Sequence, residues 1–272
     1  MATITSQQAI QNLDIFLSED RLITGEWSRR ERGRELGCLL FALGNSELHI
    51  DSPEKCPGSL MPGWMAYFVF NAFDGAGMKN RDTTARIFRF VLENNAEYSA
   101  GEWGQLRVEF LCLQIKHALD AARAANEKND RWKFVEEAGF KVQVALRSGS
   151  EEMLSDAIES ADQAVRVAER DEDVTARTRS SSSQVETSGN FLEAARAEKA
   201  AARTIRAAAN TAGVSEGIAM EATVRASAEA CAEAAIWADA GRSGTRVGAA
   251  AAEAAFIRQF QNLSILSKAI RS

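Results

Sequence analysis

Four cysteines and two histidines carry the strongest candidate chemistry in the chain. Cys38, His49 and Cys56 lie near one another in sequence, and Cys112 and His117 stand five residues apart. A zinc centre needs close ligand pairs such as Cys-x-x-Cys, and none is present. Five helical residues turn the chain by about 140°, so Cys112 and His117 do not share a face toward one metal. Cys56 with His49 or His117 is the one nucleophile–base pairing on offer, and it defines an alternative reading as a cysteine-dependent enzyme with a dispersed site. His117 also continues an apolar stripe, which suits a hydrogen-bonded core histidine. Neither histidine follows a glutamate by three residues, as the carboxylate-bridged metal centres of helix bundles require. Asp74-Gly75-Ala76-Gly77 lacks the Gly-Lys-Ser/Thr that completes a phosphate loop. The carboxylate runs Glu136/Glu137, Glu151/Glu152 and Asp171/Glu172/Asp173 fit polar helix faces or helix ends. The expectation is no catalytic residue, no metal and no cofactor.

The segment Cys56-Pro57-Gly58-Ser59-Leu60-Met61-Pro62-Gly63-Trp64 stands apart. Rigid prolines beside Trp64, Met61 and Cys56 can shape an apolar loop that anchors a protein partner. The competing role for Trp64 is to close the N-terminal core.

The elements that must position these residues follow from proline. All three prolines lie at 53, 57 and 62, and none follows. So long an exclusion, with rising alanine content, predicts helix throughout the remainder. Ser6 is expected to cap a first helix with Ile10, Leu13, Phe16 and Leu17 on one face. A second is expected from Ser28 to Leu43, with Arg29, Arg30, Arg32 and Arg34 as its salt-bridged end and Gly44 as a left-handed stop. Gly63 to Phe73 reads as a central apolar helix and Asp74 to Gly77 as a turn. Further helices follow to Leu92, through Trp103, Leu106, Phe110 and Leu113, from Asp130, from Ser150, and over 190–212, 216–240 and 245–270. The short Gly213 and Gly241 connections imply antiparallel neighbours.

Texture divides the chain. Ten of 13 phenylalanines precede residue 145, whereas alanine supplies 26 of the 69 residues from 190 to 258. The expected fold is all-α: an aromatic-rich globular helical domain over 1–145, then an antiparallel alanine-rich helical bundle over 146–272. Four consecutive serines, Ser180 to Ser183, mark a serine-rich loop at 178–189.

Charge narrows the partners. The net charge of −6 splits evenly: 17 basic and 20 acidic side chains lie in 1–144, and 15 and 18 beyond. Without clustered Lys and Arg, no nucleic-acid partner is expected. The longest apolar stretch, Leu60 to Phe73, is interrupted and too short for a bilayer, so no membrane partner is expected. Widely spaced cysteines and an amino terminus without a signal-peptide pattern point to the cytoplasm.

Glu35-Leu36-Gly37-Cys38-Leu39-Leu40-Phe41-Ala42-Leu43, followed by Cys56-Pro57 and Met61-Pro62-Gly63-Trp64, resembles a pattern in uncharacterised phage and bacterial proteins. The alanine-rich stretch from Ala207 to Gly241 is similar to helical domains of immunity proteins. The resemblance implies a setting in microbial conflict and supplies no catalytic residue. The expected function is thus a non-enzymatic binding or inhibitory protein, either an immunity protein or a phage anti-defence factor. The alternative is a structural component that forms homo-oligomers through its helical faces.

Overall fold

Thr5, rather than Ser6, starts the first helix, α1 (Ser6–Ser18). Its hydroxyl accepts the Gln8 N–H at 3.2 Å, and the Gln8 side chain accepts the Thr5 N–H at 3.0 Å. This reciprocal pairing satisfies two backbone donors that the first turn leaves open. Leu13, Phe16 and Leu17 are buried as their spacing requires. The structure is a computed structural model and describes residues 4–48, 50–126, 132–181, 185–211, 216–238 and 244–271. Ten α-helices and one small hairpin form the regular elements among those residues, so the fold is all-α. His49, Asp130, Gly213 and Gly241 lie outside them.

The helix expected from Ser28 to Leu43 is a correction. Residues Ser28–Glu31 (β1) and Arg34–Gly37 (β2) pair antiparallel, and the helix begins only at Leu39. The cause is the two-residue turn: Arg32 has φ 49° and Gly33 φ 79°. Positive φ at both central positions gives the turn whose twist matches paired strands. Arg29 meets Glu26 at 3.8 Å and Glu31 at 3.2 Å, so the arginines decorate a hairpin and not a helix end. Helix α2 (Leu39–Leu48) then buries Leu39, Leu40 and Leu43, and Gly44 lies within it rather than ending it.

A short 3-10 turn at Pro53–Lys55 leads to α3 (Gly63–Ala76), which follows Pro62. It is buried nearly all round. It also runs through the turn expected at Asp74 and stops at Gly77, where φ is 74°. Gly75 lies within this helix, and the absence of a side chain there makes room for the Phe256 ring. Helices α4 (Arg81–Asn95) and α5 (Ala100–Ala125) follow.

Two compact units emerge, one of Met1–Phe110 with Phe256–Ser272 and the other of Leu111–Ala255. Both boundaries fall inside helices, where composition leaves no mark, and so differ from the 145 boundary. In the first unit the Phe68 ring lies 4.9 Å from both Phe110 and Phe260, and Phe88 meets Phe260 at 6.2 Å. Edge and tilted contacts of this kind suit the ring quadrupoles. The C-terminal segment is fastened further by Tyr98, which donates to the Ser267 carbonyl, and by Arg271 on Glu97 at 2.6 Å.

The second unit holds α6 (Lys133–Ser148), α7 (Glu151–Ser181), α8 (Val185–Asn210), α9 (Glu216–Ala238) and the start of α10 (Gly244–Arg271). Gly149, at φ 65°, ends α6, and Ser150 caps α7 by accepting the Met153 N–H at 3.3 Å. Helix therefore occupies both flanks of the expected serine loop, and within it only 182–184 fall outside the described residues. Neighbours α7 and α8 pack together, as do α8 and α9, over buried alanines such as Ala197, Ala201 and Ala208. Gly139 admits Leu119, Ile115 and Ile205 at 2.9–3.2 Å from where a Cβ would stand. Close packing of small faces leaves no room for growth: Ala202, fully buried on α8, is expected to cost about 1–3 kcal/mol on change to Leu. Chemical denaturation of Ala202→Leu measures it, and an unchanged midpoint would show that this face is loosely packed.

Candidate functional site

The loop singled out as an anchor turns inward. Met61 is 1% and Trp64 3% exposed, and Trp64 packs edge-on against Trp103 at 6.2 Å. Trp64 thus takes the core role, because a large apolar ring gains most by leaving water. Cys56 is half-buried, and burial pushes its thiol up to about 12. Cys38 is buried and raised to about 12 by the same cause. Nucleophilic cysteines need the opposite shift, toward thiolate. Cys112 is buried on α5, 4.0 Å from the Gln143 carbonyl, and His117 is half-buried on the same helix. Among the described residues no group of three or more His, Cys, Asp or Glu is placed to hold a metal. Nor is any helix there long and apolar enough to cross a membrane.

A charge cluster instead forms where α7, α8 and α9 adjoin, and residue spacing does not announce it. Glu172, expected to be a solvated carboxylate on a polar face, is largely shielded and pairs with Lys199 and, at 3.4 Å, with Arg196. Arg196 also reaches Glu193 at 3.1 Å, while Arg203 binds Glu169 at 3.1 Å. Burial alone raises the Glu172 carboxyl, but the Lys199 ammonium and then the Arg196 guanidinium outweigh it and hold it below its ordinary value. Glu233 on α9 moves the other way, to about 7. Burial is the largest cause, followed by its hydrogen bond with Glu193 and the charge of that neighbour. Two carboxyls share a hydrogen bond only when one keeps its proton. Glu136 and Glu137 stay on a solvated face, as expected, where they meet Arg123 at 2.5 Å and Lys141 at 3.0 Å.

A second feature lies at the α6–α7 corner. Phe140 is 66% exposed, and Val144, one turn further along α6, is 36% exposed. Residues four apart share a helix face. Met153, 40% exposed, opens α7 just beyond the Gly149 turn. Phenylalanine is normally among the most buried residues, so its exposure on a face that also shows Val144 is the informative observation.

Comparison with family models, curated proteins and solved structures finds no match to this chain.

Two outcomes are expected. At pH 8, Cys38 and Cys56 in the folded protein should react with iodoacetamide at least about tenfold more slowly than in the unfolded chain. Peptide mapping reads this, and rapid labelling of Cys56 would restore a nucleophile. For Glu233, a folded value above the unfolded one means that stability is fully present below the ordinary carboxyl range and is lost as pH rises through about 7. Glu233→Gln should therefore raise the Tm at pH 8 by roughly 2–4 °C, the shift that about 1 kcal/mol produces in a chain of this size. The gain should fade toward pH 4, as melts across that range would show.

Proposed function

We propose that the protein acts by binding a protein partner through the apolar corner formed by α6 and α7. The observation that carries this reading is Phe140, two-thirds exposed with Val144 on the same face and Met153 just past the turn. Exposed apolar side chains of this kind, bordered by polar residues such as the Lys141–Glu137 pair, have the composition of an interface centre and its rim. Large aromatics at such centres dominate binding energy. The resemblance to immunity and phage proteins supplies the setting: inhibition or neutralisation of another protein in microbial conflict. Four free thiols suit the reducing cytoplasm in which such a partner is met. The same corner on a second copy is the other occupant to test, and it corresponds to the structural reading.

A photo-crosslinker placed at Val144 tests the proposal in the cell that makes the protein. One stoichiometric partner is expected, with Phe140→Ala weakening its binding by about 2 kcal/mol, roughly thirtyfold. Because Phe140 is largely exposed, the variant should keep its Tm and circular dichroism spectrum. Crosslinks to the same chain alone would favour assembly. Equal capture by Phe140→Ala and the parent protein would discard this surface.

A further inference from the structure

The second unit also carries a groove of about 720 Å³ between α8 and α9, separate from the α6–α7 corner. Its volume falls in the range of roughly 300–1,000 Å³ typical of small-molecule sites. Arg203, Arg206 and Asn210 approach it from α8, and Ile218, Arg225 and Glu229 from α9. From Ile218 to Glu229 the helical rise gives a length of about 16 Å. Ala219, Ala222 and Ala226 contribute only methyl groups to the lining, and Ile218 is 61% exposed.

The three arginines differ in their state. Arg203 is held by Glu169 at 3.1 Å and Arg225 by Glu221 at 2.9 Å. The Glu169 contact engages part of the Arg203 guanidinium, which carries five donors, so N–H groups remain there for a ligand while the side chain is fixed. Arg206 has no ion partner among the described residues. Glu229 in the lining and the two partner glutamates stand against three arginines, so the groove is close to neutral, and Arg206 is the guanidinium whose donors no ion pair among the described residues takes up. That near-neutrality disfavours a polyanion, while the open fork of Arg206 suits a single oxyanion group, which a guanidinium grips through two parallel hydrogen bonds. The methyl-lined surface and Ile218 then take the apolar body of the same molecule.

We infer that the α8–α9 groove binds a small organic anion, with its phosphate or carboxylate group seated on Arg206 and its apolar part against the alanines and Ile218. This site is independent of the partner surface at Phe140.

Calorimetric titration of the full chain at fixed ionic strength, with phenyl phosphate, benzoate and inorganic phosphate as probes, tests it. One-to-one saturable binding is expected from phenyl phosphate or benzoate, and whichever binds identifies the oxyanion. That probe should bind more tightly than inorganic phosphate, which lacks the apolar body. Arg206→Gln should weaken it at least tenfold, and Arg206→Lys, which keeps the charge but loses the fork, should fall between. Arg170→Gln, at an exposed position on α7, should leave it within twofold. Melting curves and circular dichroism confirm that each variant is folded. Absence of saturation with both organic probes up to about 10 mM, or equal losses in Arg206→Gln and Arg170→Gln, would overturn the inference.

Discussion

Alanine sets the spacing on which the second unit depends. With methyl groups at the contacts, α8 approaches both α7 and α9 closely. Close approach has two effects of opposite sign. Buried contact is gained along the seam, while long polar side chains at its margins are forced into one another's range. The Glu172–Lys199–Arg196–Glu193 run resolves that crowding by charge pairing, and Glu193 with Glu233 resolves it by retaining a proton. Bulkier seams would hold the same groups further apart, where water would screen them.

The first unit solves its packing with size instead. Rings of Phe68, Phe88, Phe110 and Phe260 meet at 4.9–6.2 Å, and a glycine at position 75 makes space for Phe256. The two units thus reach dense interiors by opposite means, one interlocking large side chains and the other removing them. Overpacking is the characteristic danger of the second, and cavity formation that of the first.

Helical periodicity and proline exclusion were sufficient to place most of the helices, because both act locally. They failed at Ser28 to Gly37, where charged residues at helical spacing concealed a turn that only the left-handed backbone at Arg32-Gly33 reveals. At the serine run the local preference for solvated backbone yielded to helix on both flanks. For Trp64, residue type could not separate an anchor from a core filler, since the same apolar area serves both. Glu233 was invisible for another reason: its neighbours come from a second helix, and the register of α8 on α9 is a tertiary property. Exposure of Phe140 was equally hidden, because its spacing on α6 is that of any half-apolar helix.

The first unit is discontinuous in sequence, with the C-terminal part of α10 completing a core begun by α1 to α4. During synthesis, Phe68 and Phe88 leave the ribosome long before Phe260 exists to cover them. The intervening unit is contiguous and can acquire its own packing while the N-terminal segments wait. Completion of the first unit therefore waits on its last-made segment, whereas the second has all its residues once position 255 is made. The aromatic surface left open in that interval is a natural point of capture for a chaperone.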